Sequence, residues 1–333
     1  MLDNSLIEQL KNIFADLKAE YTFDIYASKQ HESYNELNEF LNDVLTSSSK
    51  FSLRQNDGDS LYFSILKNGN DTGIIFRGIP NGHEFTSLLL AILNSDGKGK
   101  NLPDEFIQNR VKSLKGNIHL TTYVSLTCTN CPDIVQALNV MAILNPNIKH
   151  EMVDGALFQD EVDALKLQGV PAVFADGELL HVGRGEFGEL LSKLEAKYGI
   201  EEQNLEKTAK TFDVVVVGGG PAGSAAAIYS ARKGLSVAVL AERIGGQVKE
   251  TVGIENLISV PKTTGEVLAN DLKRHMQEYS ITLLEHRTVE KVEIDGSTYY
   301  RDRSQMAQIE YPRRIRTHRQ RRGFLPALRR TIL

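Results

Sequence analysis

Apolar side chains recur in residues 1–198 at two spacings, one that fits helices and one that fits strands. Leu6, Leu10 and Leu17 lie on one face of a predicted first helix, for which Asn4 and Ser5 are suitable caps. Strands are predicted at 21–28, 51–55, 62–66, 73–77, 118–126, 149–154, 172–175 and 179–182, and further helices at 32–45, 84–94, 133–144, 159–167 and 187–197.

The order of these elements repeats in the two halves of this region. Residues 73–78 and 83–85, which end the first half, resemble residues 178–183 and 185–187, which end the second. We therefore predict a tandem of two related α/β modules, 1–103 and 104–198. Cysteine occurs in the second module alone.

The two cysteines of the chain, Cys128 and Cys131, are separated by two residues. They lie between a predicted strand and a predicted helix, and Pro132 suits the first turn of that helix. Helix N-terminal amides stabilise a thiolate, so we assign Cys128 as the attacking thiol and Cys131 as the resolving thiol. Zinc is not expected without a second ligand pair, and two buried, unreactive thiols are the alternative.

Pro171 immediately precedes the predicted strand at 172–175 and follows the cysteines by about 40 residues. Thioredoxin-like folds place a cis proline beside their disulfide at this point, so we predict a cis peptide bond before Pro171. A trans proline at the edge of a strand is the alternative.

A third region begins after a polar linker at 199–210 and covers 211–297. A strand at 212–217 leads into Gly218, Gly220 and Gly223, and a helix at 224–233 and a strand at 235–240 follow. This order is typical of a Rossmann-type dinucleotide site, in which the pyrophosphate rests on the helix N-terminus. Glu242, after the second strand, is placed to bond a ribose hydroxyl.

Charge and composition exclude several classes of function. The net charge of −5 gives no global sign of nucleic-acid binding, and no apolar run approaches the length of a membrane span. The first residues lack the pattern of a signal peptide, so we expect a cytoplasmic protein. Residues 301–333 differ from the rest, because they hold ten Arg and no Lys.

The residues after Glu242 carry a resemblance to a known family. Gly245-Gly246-Gln247 and Glu255-Asn256 resemble the FAD-binding reductases of the thioredoxin reductase type. With the tandem modules ahead of them, residues 1–297 resemble the family of alkyl hydroperoxide reductase flavoproteins, which reduce bacterial peroxiredoxins.

That resemblance implies a relay from NADH to FAD, then to a second cysteine pair, then to Cys128 and Cys131, and finally to a peroxiredoxin. It also implies a homodimer. The residues implied to contact FAD are Gly218, Gly220, Pro221, Ala222, Gly223, Glu242, Gly245, Gly246, Gln247 and Asn256.

Glu84 lies in the cysteine-free module, within a Gly-His-Glu-Phe sequence that also matches the family. Its carboxylate is a candidate to face the disulfide across the module boundary and to tune the thiols. The alternative is a favourable acid at a helix N-terminus with no role in the chemistry.

The Arg-rich tail, 298–333, departs from the family pattern. A one-base shift in an allowed codon set for residues 322–333 yields Cys-Pro-His-Cys, the flavin-proximal pair that the family has. We therefore expect a frameshift near residues 296–298 and a C-terminally truncated FAD-binding domain, with weak or absent FAD binding and no NADH oxidation.

The expected fold is α/β, with tandem thioredoxin-like modules followed by an incomplete Rossmann-type FAD-binding domain. The expected function is an NADH- and FAD-dependent disulfide reductase that regenerates a peroxiredoxin. A FAD-independent dithiol carrier and a docking module without catalysis are the two alternatives.

Overall fold

Two units make up the chain, Met1–Leu205 and Glu206–Leu333. A computed structural model describes residues 2–99, 102–201, 210–289, 291–294, 297–300 and 330–332. Most of the predicted linker and most of the predicted out-of-frame tail lie outside these residues, so those predictions stay predictions.

The first unit is built on one eight-stranded sheet with helices packed against it. Its strands are β1 (Tyr21–Tyr26), β2 (Phe51–Asn56), β3 (Tyr62–Lys67), β4 (Asn70–Arg77), β5 (Ile118–Val124), β6 (Ile148–Asp154), β7 (Ala172–Ala175) and β8 (Glu178–Val182). Its helices are α1 (Asn4–Phe14), α2 (Tyr34–Leu45), α3 (Phe85–Ser95), α4 (Glu105–Lys112), α5 (Cys131–Leu144), α6 (Gln159–Ala164) and α7 (Phe187–Tyr198).

The strand order of this sheet, β2-β1-β3-β4-β6-β5-β7-β8, contains the same arrangement twice. In each half the first strand pairs parallel with the second and antiparallel with the third, and the third pairs antiparallel with the fourth. β4 and β6 join the halves in parallel. The repeat read from the sequence is therefore a repeat of topology, and both halves share one sheet.

Hairpin turns of two residues fix the register of each half. Asn68 and Gly69 have φ of +49° and +80°, and Asp176 and Gly177 have φ of +51° and +79°. Two successive left-handed residues twist the chain in the sense that antiparallel strands require. This explains why Asn-Gly and Asp-Gly occur between alternating apolar runs.

Helix α1 begins and ends differently from the prediction. Asp3 is its N-cap, and its carboxylate accepts the Leu6 amide at 2.7 Å. The cap is therefore one residue earlier than Asn4, because a carboxylate at this distance satisfies a free amide of the first turn. The helix ends at Phe14, and Leu17 reaches the core from the following turn.

A buried polar group lies in the core beneath α5. His150 in β6 is fully buried, with Nε2 at 2.8 Å from the hydroxyl of Thr122 and Nδ1 at 2.7 Å from the side-chain oxygen of Asn139. These contacts suit a neutral imidazole. Burial lowers the pKa of His150 to about 3.

This histidine makes the stability of the first unit sensitive to acid. Since the folded pKa lies below the unfolded value of 6.5, stability is complete above that pH and is lost as the pH falls towards 3. The expected slope is about 1.4 kcal/mol per pH unit. Urea unfolding of His150→Gln should show a flatter pH dependence between pH 6 and 4. The exposed His83→Gln should keep the parental slope, and an equally steep slope in both variants would contradict the assignment.

The second unit contains a parallel three-stranded sheet, β10-β11-β12. Strands β10 (Val214–Gly219), β11 (Val237–Ile244) and β12 (Thr282–Leu284) alternate with α8 (Pro221–Ala231) and α9 (Gly265–Gln277). Two short antiparallel pairs complete it, β9 (Lys210–Phe212) with β15 (Arg330–Ile332), and β13 (Lys291–Ile294) with β14 (Ser297–Tyr300). Among the helices that the structure describes, none is long and apolar enough to cross a membrane.

Candidate redox site and cofactor cradle

Cys128 and Cys131 are joined in a disulfide at the start of α5, with their Cα atoms 5.5 Å apart. Cys131 is the first residue of the helix and is fully buried, whereas Cys128 lies in the preceding loop and is half-buried. Only a sulfur within reach of solvent can meet the disulfide of another protein. The geometry therefore suits the predicted order, with Cys128 attacking and Cys131 resolving.

The helix that carries Cys131 supplies a favourable field for a thiolate. Asn130 is its N-cap residue, and Pro132 lies in its first turn. The peptide dipoles of its 14 residues add up, so that the positive end of the helix dipole is at the disulfide. Arg184 donates from Nε to the side-chain oxygen of Asn130 at 2.9 Å. No pattern in the sequence pointed to Arg184, because the contact forms only when the loop after β8 reaches the cysteine loop.

Pro171 lies beside the disulfide, as predicted. The peptide bond between Val170 and Pro171 is cis. The carbonyl oxygen of Val170 is 3.9 Å from Sγ of Cys128. Pro171 accepts the amide of Gly183 at 2.8 Å, which ties this loop to the end of β8.

Glu84 comes from the first module but reaches the redox loop of the second. It ends a 3-10 turn (Gly82–Glu84) that is fixed to this loop, because the His83 amide donates to the carbonyl of Leu126 at 3.1 Å. Gly82 has a φ of +54°, and a Cβ there would be 2.7 Å from the same carbonyl oxygen. Glycine is therefore required for this close approach.

The carboxyl group of Glu84 is fully buried, and neither of its oxygens has a hydrogen bond of normal geometry. Burial raises the pKa of Glu84 to about 7, the nearby Ser87 hydroxyl opposes this rise, and Asp133 in the first turn of α5 adds to it. The side chain makes no capping bond to α3. The structure thus places beside the redox helix an acid that changes its protonation near neutral pH.

A glycine cradle lies where β10 leads into α8. Gly218 has a φ of +109°, and a Cβ on Gly223 would overlap the carbonyl oxygen of Gly218, so Gly223 permits close packing of helix on strand. Gly220 is different, since the nearest atom to a Cβ there is 3.9 Å away. Pro221 and Ala222 lie in the first turn of α8, so this opening is at the N-terminus of the helix.

The second glycine pair lies next to the first. Gly245 donates its amide to the carbonyl of Gly219 at 2.8 Å, and Gly246 begins a 3-10 turn (Gly246–Glu250) that contains the exposed Gln247. A Cβ on Gly246 would be 3.4 Å from Cα of Gly220. The structure therefore brings both glycine motifs together without a side chain between them.

Two other residues predicted to contact FAD, Glu242 and Asn256, lie on other elements of the second unit. Glu242 lies within β11, which continues to Ile244, and its exposed carboxylate accepts the Thr288 hydroxyl at 3.0 Å. Asn256 is exposed in a loop that starts after the bridge between Ile254 and Thr263. The cradle fits the pyrophosphate of a dinucleotide, because Gly220 leaves open space at the N-terminus of α8.

Each of the two units contains a segment that matches a known protein family. Residues 117–195 match the thioredoxin domain family, and residues 212–313 match the pyridine nucleotide-disulphide oxidoreductase family. The alkyl hydroperoxide reductase protein AhpF of Pseudomonas aeruginosa is 45% identical over 297 residues, which cover 88% of this chain and 56% of that protein. A Bacillus subtilis protein named NADH dehydrogenase is 40% identical, with coverages of 88% and 57%.

A solved structure decides the family. The NTD_N/C domain of alkylhydroperoxide reductase AhpF from Enterococcus faecalis superposes with a TM-score of 0.54 and 32% identity, covering 58% of this chain and all of that domain. The chain belongs to the AhpF family of alkyl hydroperoxide reductases. Membership confirms the resemblance and the fold class predicted from the sequence. The chain spans about half the length of the curated AhpF relatives that it matches.

Proposed function

We propose that this chain exchanges a dithiol for a disulfide within an NADH- and FAD-dependent reductase that regenerates a peroxiredoxin. The observation that carries the proposal is the half-buried Cys128, bonded to Cys131 at a helix N-terminus beside Pro171. Family membership supports the same reaction and does not favour a FAD-independent carrier or a non-catalytic docking module.

The exchange has two steps. The thiolate of Cys128 attacks one sulfur of the partner's disulfide, so that a mixed disulfide forms and one partner thiolate leaves. Cys131 then loses its proton and attacks Sγ of Cys128, which restores the disulfide of the chain and releases the second partner thiol. Two electrons pass to the partner, and the chain ends oxidised.

Glu84 is proposed to take the proton of Cys131. Both groups are fully buried, and a carboxyl group with a pKa of about 7 is matched to accept a proton near neutral pH. The cis Pro171 loop is proposed to hold the partner chain beside Cys128, since Val170 already lies against that sulfur.

The cradle of the second unit is proposed to hold FAD. Gly218, Gly220 and Gly223 with the first turn of α8 would bind the pyrophosphate, and Glu242 the ribose. Bound flavin accepts a hydride from NADH and supplies electrons to disulfides. The family contacts carried onto this chain are Pro221, Ala222, Gly245, Gly246, Gln247 and Asn256.

The test of the function is electron transfer from the purified chain, reduced with dithiothreitol and then freed of it, to an oxidised peroxiredoxin. We expect two new peroxiredoxin thiols for each pair in the chain that becomes oxidised. Unchanged thiol counts would contradict the proposal.

We also propose that the protein is a homodimer and that it works in the cytoplasm, where the environment is reducing and a cysteine pair can return to the dithiol form.

A substitution at Gly220 separates cofactor binding from folding. Because Gly220 has extended backbone and open space at its Cβ, Gly220→Val should fold but fill the place of the pyrophosphate. The truncated domain is expected to bind FAD weakly, and with FAD added in excess we expect Gly220→Val to bind less of it than the parent while circular dichroism stays unchanged. Gly253→Val, also with open space at its Cβ, is the control. Flavin retained by Gly220→Val would place the cofactor elsewhere.

A further inference from the structure

His181 is a buried polar side chain near the end of β8, outside the groups that the thiol exchange uses. Its Nε2 atom is 3.0 Å from the carbonyl oxygen of Gly183 and 2.9 Å from that of Arg184. Because carbonyl oxygens only accept hydrogen bonds, Nε2 carries the proton and donates to both. The imidazole therefore holds two successive carbonyl groups of the loop that follows β8.

The other ring nitrogen of His181 fixes the tautomer. Nδ1 is 2.7 Å from Nζ of Lys193 in α7, and since an ammonium group only donates, Nδ1 accepts and carries no proton. The carboxylate of Glu189 is 3.1 Å from the same ammonium group and 3.5 Å from Nδ1, so its hydrogen bond is to Lys193. Gly185 leaves room for the ring, because a Cβ there would be 2.6 Å from Nε2.

The loop that this imidazole holds contacts both segments beside the disulfide. The amide of Gly183 donates to the carbonyl of Pro171 at 2.8 Å. Nε of Arg184 donates at 2.9 Å to the side-chain oxygen of Asn130, the N-cap of α5. Two adjacent residues thus connect the cis-proline segment to the cysteine loop, and a buried side chain fixes both of them from the interior.

We propose that His181 is a positioning residue, which holds the guanidinium group of Arg184 at the cysteine loop so that its positive charge favours the thiolate of Cys128. The inference rests on the proposed function, in which that thiolate attacks the partner. A cation beside a thiol stabilises the charged form. Arg184 adds to the field of α5, because its bond to Asn130 places the cation at the positive end of that helix.

The pH at which half of Cys128 is thiolate measures this effect without a partner protein or a cofactor. The full chain is reduced and freed of reductant, and alkylation of Cys128 by iodoacetamide is followed over pH by mass spectrometry. Arg184→Met, at an exposed residue, should raise this midpoint by about 0.5 to 1 pH unit and slow alkylation below it about 3- to 10-fold. Lys112→Met is the matched control and should keep the parental midpoint. It removes an exposed cation next to Val111, whose carbonyl accepts the side chain of Asn145 at the other end of α5.

Two substitutions of His181 separate positioning from packing. His181→Phe keeps a ring but has no donor for the two carbonyls, so the midpoint should rise about as far as in Arg184→Met. His181→Gln keeps an N–H donor and should recover most of the parental midpoint. Because His181 acts through Arg184, the chain that combines His181→Phe with Arg184→Met should show no larger shift than Arg184→Met alone.

An unchanged midpoint in Arg184→Met, or in a folded His181→Phe, would overturn the inference. Shifts that add in the combined variant would also overturn it, since His181 would then act on Cys128 by another route. If His181→Phe fails to fold, Gly185→Ala replaces it, because the added Cβ displaces the ring. Failure of the proposed function gives a different result: the midpoints shift as expected, which supports the positioning role, but the reduced parent leaves an oxidised peroxiredoxin unchanged.

Discussion

Replacement of Cys128 by serine is expected to reduce electron transfer from the chain to a peroxiredoxin below detection. The hydroxyl of serine is not ionised near neutral pH and cannot form a mixed disulfide, so the first bond of the exchange is never made. The buried Cys131 cannot substitute for it, because its sulfur is closed to a partner protein. Thiol counts on the oxidised peroxiredoxin, after mixing with the reduced variant, measure the loss.

Replacement of Cys131 gives a different result. Cys131→Ser keeps the attacking thiol but lacks the resolving one, so a covalent complex between chain and partner should accumulate and disappear on adding dithiothreitol. Thr129→Ala, at the exposed residue between the two cysteines, is the control and should retain transfer. A trapped complex with Cys128→Ser and none with Cys131→Ser would reverse the two roles.

Local sequence predicted the redox motif well because its geometry is local. Two cysteines two residues apart, before a helix with proline in its first turn, fix the helix-terminal position of Cys131 by themselves. The first glycine turn was predicted for the same reason, because it lies in a short segment between adjacent elements. The cis bond before Pro171 was predicted instead from the cysteines about 40 residues earlier and from the place that thioredoxin-like folds give such a proline.

Features that depend on distant contacts were predicted less well. The contact between Arg184 and Asn130 joins loops 54 residues apart and left no pattern in the sequence. Helix α4 was not predicted. Only Ile107 and Val111 are buried along its eight residues, and two apolar positions are too few to establish a helical period. The position of Glu84 against the second module depends on how β4 and β6 pair, which the repeat of the modules did not predict.

Glu84 is expected to make the first unit less stable as the pH rises. Its folded pKa of about 7 lies above the ordinary value of 4.5, so the folded chain binds the proton more tightly than the unfolded chain. Stability is therefore complete below about pH 4.5 and is lost as the pH rises towards 7. The full loss is about 3 kcal/mol, as a shift of one pKa unit corresponds to about 1.4 kcal/mol.

Glu84→Gln removes the ionisation while keeping the shape of the side chain. Between pH 4.5 and 8, the free energy of unfolding of this variant should rise relative to the parent by about 3 kcal/mol, measured by urea unfolding. Glu36→Gln, at an exposed acid in the first turn of α2, is the matched control and should show a much smaller change. A pH dependence of Glu84→Gln that equals the parent's would mean that the carboxylate is not buried as described.

The same variant separates a carboxylate that acts as a catalytic base from one that is merely buried. If Glu84 accepts the proton of Cys131, Glu84→Gln should slow resolution of the mixed disulfide by roughly 100-fold and remove the rise in rate around pH 7. Glu84→Asp, which keeps an acid in the same pocket, should recover part of the rate. If Glu84→Gln is more stable than the parent at high pH but resolves the mixed disulfide at the same rate, the buried carboxyl group destabilises the fold without taking part in the thiol exchange. A gain in stability together with slow resolution would show that the chain tolerates a destabilising charge because the thiol exchange uses it.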